Sequence, residues 1–188
     1  MGFQAHLLGT LMAILFSSFM GTLLWWMLHP PRQVGEAAAK ARYSLFAVKK
    51  ILVPTSGFPY SERGVELACR LGQEQRAEIF LAYIMEIPRT MPLGIPLPDL
   101  EQQAKEALDR ADSIVVLHGL KTDKMIHRAR IAGEEIARIA KEKDVDMIVL
   151  GIRSHVGLTD NILGRTSDVI LRQAPCEVII DKLPGEKY

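Results

Sequence analysis

Residues 151 to 170 read GIRSHVGLTDNILGRTSDVI and hold the densest cluster of groups able to meet an anion. Gly151, Gly157 and Gly164 would let backbone N–H groups approach a phosphate, and Thr166 and Ser167 stand where a helix begins, adding oriented donors and the positive end of a dipole. The stretch is no Walker A loop: six residues separate Gly157 from Gly164 where that motif has four, and Arg165 occupies the place of its lysine. The same residues also fit a plainer role, in which the glycines permit tight turns and Thr166 or Ser167 caps a helix. Spacing alone leaves both open.

Other reactive side chains form no constellation. Ser154 and His155 are adjacent, unlike a nucleophile elbow, and no partner acid is evident. His155 reads as a solvent-facing loop residue, and His118 and His127 read as structural. Asp144, Asp146, Glu134 and Glu135 look like helix termini and solvated faces. Cys69 and Cys176 lie far apart and match no metal-ligand spacing, so they read as reduced, buried small hydrophobes with no metal site.

Elements that would position the loop alternate along the chain. Ile51–Pro54 is a short strand closed by TSGFP, and Val65, Ala68, Cys69 and Leu71 then recur at helical spacing. Glu78–Met85 is a second strand, followed by a loop with Pro88, Pro92, Pro96 and Pro98. Asp99 is placed to cap a helix reaching Leu117, with Leu100, Ala104, Ala107, Leu108 and Ala111 on its apolar face. MIHRARIA alternates like a half-buried strand, and Gly133 opens a helix with acids first and lysines last. Asp146–Leu150 is apolar enough for a central parallel strand; after the loop come the helix TSDVILRQ and the strand CEVII. Five strands separated by helices imply an α/β fold with a five-stranded parallel sheet covered on both faces, ligands binding beyond the strand carboxyl ends.

Ahead of this domain, Leu7–Leu28 is 22 residues without a charge. As a helix it would be about 33 Å long, enough to cross a bilayer core. Trp25 and Trp26 suit the interface, and Pro30 and Pro31 stop the helix. The expected organisation is a transmembrane helix over 1–29, a juxtamembrane linker over 30–48 with the helix-forming run EAAAKAR, and the folded domain over 49–188. Arg32, Lys40, Arg42, Lys49 and Lys50 follow the span and no Lys or Arg precedes it. This bias predicts a single-pass protein of the cell membrane with its C-terminal domain in the cytoplasm. Gly9, Ala13, Ser17 and Gly21 recur every four residues, a small-residue face that would admit a second helix, although a tolerant span can show such a pattern by chance. The net charge of +1, and the balance of 20 basic to 21 acidic residues beyond position 48, exclude a general nucleic-acid binder.

KKILVPTSG, AEIFLAYIMEIP, DVDMIVLG, the glycine loop and LRQAPCEVIIDK together resemble the universal stress protein family over residues 49 to 182. The resemblance implies an open α/β sandwich with strand order 3-2-1-4-5, dimerisation through the last strand, and, in ATP-binding members, the loop motif G-x2-G-x9-G-[S/T]. Gly151 and Gly164 match its first and third glycines; Ser154 takes the place of the second and Arg165 that of the following hydroxyl residue. Ser56 stands where ATP-binding members carry an aspartate that contacts the nucleoside. Pro54 and Thr55 precede it at the strand end, Ile84 fits the position supporting the adenine, and Gly133 fits the glycine lining the same pocket. The resemblance implies ATP, ADP or AMP, or a cyclic dinucleotide, as ligand and at most slow ATP hydrolysis. Two functions follow: a membrane-anchored sensor or regulatory module, or a ligand-free accessory subunit docked into a larger membrane complex through its helix.

Overall fold

The computed structural model describes residues 2–28, 48–153 and 164–182, with side chains from residue 9 onward. Ser154, His155, Gly157, and the linker through residue 47, including three of the orienting charges, lie outside the described residues. The chain divides into two compact units, Met1–Arg42 and Tyr43–Tyr188.

In the first unit, α1 spans Gly2–Leu28. Its stretch Gly9–Leu28 is long and apolar enough, by length and composition, to cross a membrane. Every described side chain of α1 is exposed, and nothing lies within 4 Å of where a Cβ on Gly9 or Gly21 would stand. Thr22 turns its hydroxyl back onto the carbonyls of Ser18 (3.1 Å) and Phe19 (2.8 Å), which satisfies it within the helix.

In the second unit the chain alternates strand and helix without interruption: β1 Lys50–Pro54, α2 Pro59–Gly72, β2 Glu78–Glu86, α3 Pro98–Leu117, β3 Lys121–Ala129, α4 Ala132–Lys143, β4 Met147–Ile152, α5 Arg165–Gln173 and β5 Glu177–Lys182. All pairings are parallel and the order is β3-β2-β1-β4-β5. This is the expected α/β architecture.

Period-two alternation assigns each strand residue to one of two cores. Ile51, Val53, Ile79, Leu81, Met147 and Val149 pack with Val65, Ala68 and Cys69 of α2 and Leu108, Ala111 and Val115 of α3. Leu52, Phe80, Ala82, Ile148 and Leu150 face the opposite way, onto Ile136, Ile139 and Ala140 of α4 and Ile170 of α5. Ile51, Leu52 and Val53 are fully buried, as a strand covered on both faces requires. Asp146 fixes where β1 starts, its Oδ2 accepting from the N–H groups of Lys49 (2.8 Å) and Lys50 (2.9 Å).

Several local expectations are corrected. Asp99 is not the cap of α3; the N-cap is Leu97, and Pro98, whose φ is preset for a first helical turn, starts the helix and leaves Asp99 as a first-turn acid. β3 begins four residues before Met125 and ends at Ala129. Its early part was illegible because it is an edge carrying charges on both faces: Lys124 pairs with Asp109 and Asp112, and Asp123 with Lys143. Leu71 is exposed, and the neighbouring Gly72 is the buried residue at the end of α2. Cys69 is buried, but Cys176 is only half-buried.

Candidate functional site

The site begins where β1 stops. Pro54 ends the strand, and Thr55 adds one more bond to its neighbour, its N–H donating to Ala82 O at 2.9 Å. Beyond it the chain turns through Gly57, whose φ of +75° suits a residue without a Cβ, and whose Cβ position is crowded by Ala107 at 2.9 Å. Arg110 holds this turn from α3, donating to Gly57 O (3.1 Å) while pairing with Glu62 (3.0 Å). Ser61, buried in the first turn of α2, donates to Phe58 O at 2.8 Å, and its oxygen receives the N–H of Ser56 at 3.3 Å. The Ser56 hydroxyl in turn meets the Tyr60 hydroxyl at 3.3 Å, and the Tyr60 ring stacks on Phe58 with centroids 5.6 Å apart. A web of neutral hydroxyls therefore lines this strand end.

The opposite wall is the start of α5. Gly164 is its N-cap with φ of +76°, and the first intrahelical bond runs from Asp168 N–H to Gly164 O at 3.1 Å. The N–H groups of Arg165, Thr166 and Ser167 consequently have no intrahelical acceptor, the situation in which a helix start receives an anion. No side chain among the described residues caps this end. Of the plainer alternative, the capping by Thr166 or Ser167 does not occur: both sit inside the first turn, which begins at Arg165.

A cavity of about 380 Å³ opens between these walls, at the carboxyl ends of β1, β2 and β4. Pro54, Thr55, Ser56, Ile84, Gly151, Gly164, Arg165, Thr166 and Ser167 all line it. Gly133 does not; it is buried where α4 meets α5, and a Cβ there would stand 2.7 Å from Val169 Cβ and 2.8 Å from Thr166 O. Its bareness lets the two helices close. Gly151 likewise has a packing duty, since the backbone carbonyl of Tyr60 occupies the space a Cβ would need. Tyr60, Ser61, Ile136 and Arg153 also line the cavity and were missed by sequence reading. The hydroxyl-rich run TSGFPYS was the only signal for the first two; the others arrive from the middle of α4 and the end of β4.

Charge is distributed unevenly around this cavity. Arg153 and Arg165 are its ionised side chains, and no carboxylate lines it among the described residues. Elsewhere in the domain, arginine is largely matched by acids: Arg63 with Asp181, Arg138 with Glu135 and Glu142, Arg172 with Asp168. Of the three histidines singled out in the sequence, the two that are described are matched as well, His118 with Glu66 and His127 with Glu135. Among the described residues no cluster of three or more His, Cys, Asp or Glu is placed to hold a metal ion.

The model of the Universal stress protein family matches residues 47–182. The chain belongs to the universal stress protein family. Universal stress protein MJ0531 of Methanocaldococcus jannaschii is 27% identical over 150 residues, covering 74% of this chain and 85% of that protein. Among solved folds, a universal stress protein from Archaeoglobus fulgidus in complex with dAMP is similar at TM-score 0.56 and 16% identity, covering 72% of this chain and 98% of that one. A family member from Arabidopsis thaliana with AMP bound gives 0.54 at 14% identity, covering 74% and 94%. A universal stress protein in complex with cAMP gives 0.53 at 20% identity, covering 72% and 98%. At these identities the likeness to solved structures is one of fold. In this chain Gly151 and Gly164 flank the glycine loop and line the cavity, and Arg165 opens α5.

Proposed function

We propose that this domain binds an adenine nucleotide and acts as a regulatory module held at the cytoplasmic face of a membrane by α1. The observation carrying the nucleotide reading is the cavity between β1 and β4, where the strand order reverses. Ile84 and Ile136 offer an apolar wall to a base, and the first turn of α5 with Arg153 and Arg165 offers donors to phosphate. That similar folds hold AMP, dAMP and cAMP supports the choice of ligand; ATP and ADP belong to the same class. Occupancy would bias the strand-end loops, and these would bias a homodimer through the open edge of β5 or contact with another membrane protein. Such coupling needs different affinities in two states.

The test is made on the full chain purified in mild detergent without added nucleotide: chromatography of the denatured extract, then calorimetric titration with ATP, ADP and AMP. A carried-over or titratable nucleotide supports the reading, and no binding at millimolar ligand overturns it. The tether is tested separately, by whether the protein stays with membranes through alkaline carbonate extraction.

A second reading is favoured by Ser56, Ser154 and Arg165, which depart from the ATP-binding pattern that the resemblance implies, and by the exposed small-residue face of α1. Here the protein is an accessory subunit docked by Gly9, Ala13, Ser17 and Gly21 into a larger membrane complex. Replacing these four with leucine should release it from co-purifying proteins while leaving it in the membrane; retained association would remove the docking face from consideration.

A further inference from the structure

We infer that Arg110, which lies outside the cavity lining, is the positioning residue of the β1 wall: it holds the Ser56–Phe58 turn against α3 in the shape that receives a ligand. The inference rests on the nucleotide reading above and names a residue on which the affinity of that site depends.

This wall is secured at its two ends and loosely in its middle. Thr55 is tied to β2 through Ala82 O at 2.9 Å, and the backbone of Tyr60 and Ser61 rests against Gly151 of β4. Between them the turn is held to itself and to α2 by neutral groups at long range: Ser56 N–H to Ser61 Oγ at 3.3 Å, Gly57 N–H to Thr55 Oγ1 at 3.5 Å, and the Ser56 hydroxyl to that of Tyr60 at 3.3 Å. Among the described residues, the hydrogen bond that reaches residues 56–58 from any other element is the one donated by Arg110 to Gly57 O.

The geometry of that bond suits a staple. Arg110 Nη2 lies 3.1 Å from Gly57 O while Nε lies 3.0 Å from Glu62 in the first turn of α2, so one planar guanidinium fixes the turn relative to two helices. Gly57 is fitted to it: a Cβ there would stand 2.8 Å from Arg110 Nη2 and 2.9 Å from Ala107 Cβ, one turn earlier on α3. A charge-assisted bond is stronger than the neutral ones around it, so its loss frees the middle of the wall that Ser56 lines. Arg110 and Glu62 are both partly open to solvent, at 52% and 30% of their side chains, and such a pair adds little to global stability. The residue therefore acts on the site more than on the fold.

The experiment compares the native full chain in detergent with Arg110→Ala, Arg110→Lys and, as control, Arg70→Ala, which removes an exposed arginine paired with Glu66 away from the cavity. Three quantities are read: AMP affinity, thermal midpoint, and hydrogen–deuterium exchange of the peptide covering Ser56–Tyr60 without ligand. Arg110→Ala should bind AMP about tenfold more weakly, the scale of one hydrogen bond to a charged group, with its midpoint within about 2 °C of native. Its Ser56–Tyr60 peptide should exchange severalfold faster. Arg110→Lys keeps the charge without the fork and should fall between, and Arg70→Ala should match the native protein in all three. AMP affinity within about twofold of native in Arg110→Ala, an equal loss in Arg70→Ala, or unaltered exchange overturns this inference while leaving nucleotide binding intact. A midpoint lowered by more than about 5 °C in both Arg110 variants makes the role one of folding and overturns it too. If the native chain binds no nucleotide, the nucleotide reading falls, and the exchange of Ser56–Tyr60 alone decides whether Arg110 holds the turn.

Discussion

The carbonyl of Tyr60 fills the space beside Gly151 in which a side chain would begin, while Gly64 of the same helix approaches Gly151 so closely that its own Cβ would lie 2.8 Å from the Gly151 nitrogen. Helix α2 and strand β4 thus meet backbone to backbone, directly beneath the cavity. Substituting Gly151→Ala should destabilise the domain by about 3 kcal/mol, because backbone on both sides must move. Denaturant unfolding of the ligand-free protein reads this directly. A variant with unchanged midpoint would mean that the two elements separate easily.

Gly164→Ala should behave differently. Space beside Gly164 is open, but its φ of +76° is costly for any residue with a Cβ. Unfolding should weaken by only about 1 to 2 kcal/mol. Nucleotide affinity should fall as well, because the cap sets the direction of the three unaccepted N–H groups. Unaltered affinity would separate the helix start from the ligand.

Glu135 gives a pH signature. Hydrogen bonding from Arg138 and, less strongly, the charge of Arg138 and the bond to His127 hold its carboxyl below the usual range, against the opposing effect of burial. A lowered folded pKa means that the contribution is fully present above the unfolded value, about 4.3, and is lost as pH falls through the folded value. Glu135→Gln should therefore be less stable than the native protein at pH 7, with the gap closing below about pH 4. A gap independent of pH down to acid unfolding would refute the ion-pair account.

The Cys69 thiol is pushed up to about 11, first by burial and then by the charge of Glu66. Burial also raises Cys176, which is only half-buried. Iodoacetamide at pH 8 should spare Cys69 in the folded protein and modify it on denaturation. Rapid labelling of Cys69 under native conditions would show that α2 opens readily from the sheet.

The proline-rich loop after β2 is latched from β3. Arg128 donates to Leu93 O (3.0 Å) and Ile95 O (2.8 Å) and pairs with Glu101, while Arg130 donates to the carbonyls of Ile87 and Pro88. Arg128→Ala should increase tryptic cleavage after Arg89 severalfold, measured by peptide mass under native conditions. No change would assign the loop's order to its prolines instead.

The strands legible from sequence were those whose burial wrote itself into composition. β4 and, after Lys50, β1 carry no charged residue because both faces are covered, and their limits fall within two residues of expectation. β3 was half hidden because ion pairs to α3 and α4 replace apolar contacts at its start. The glycine loop marked the right end of the sheet, but what each glycine faces is decided by elements far along the chain. Gly133 meets α5 and Gly151 meets α2, and no local pattern distinguishes such packing from a bare approach to phosphate. Arg153 carried no motif, and Tyr60 only the hydroxyl-rich run around it; the crossover geometry brings them to one cavity.

The grip of Asp146 on the N–H groups of Lys49 and Lys50 has a mechanical meaning. The segment arriving from α1 joins the sheet at its central strand, bonded to β2 on one side and β4 on the other, and not at an edge. A pull along the axis of β1 would load its ladders in shear, with several bonds strained together, where an edge strand would peel one bond at a time. Tension on the N-terminal side is therefore met by a strand bonded on both sides, at the end of β1 opposite the strand ends that frame the cavity.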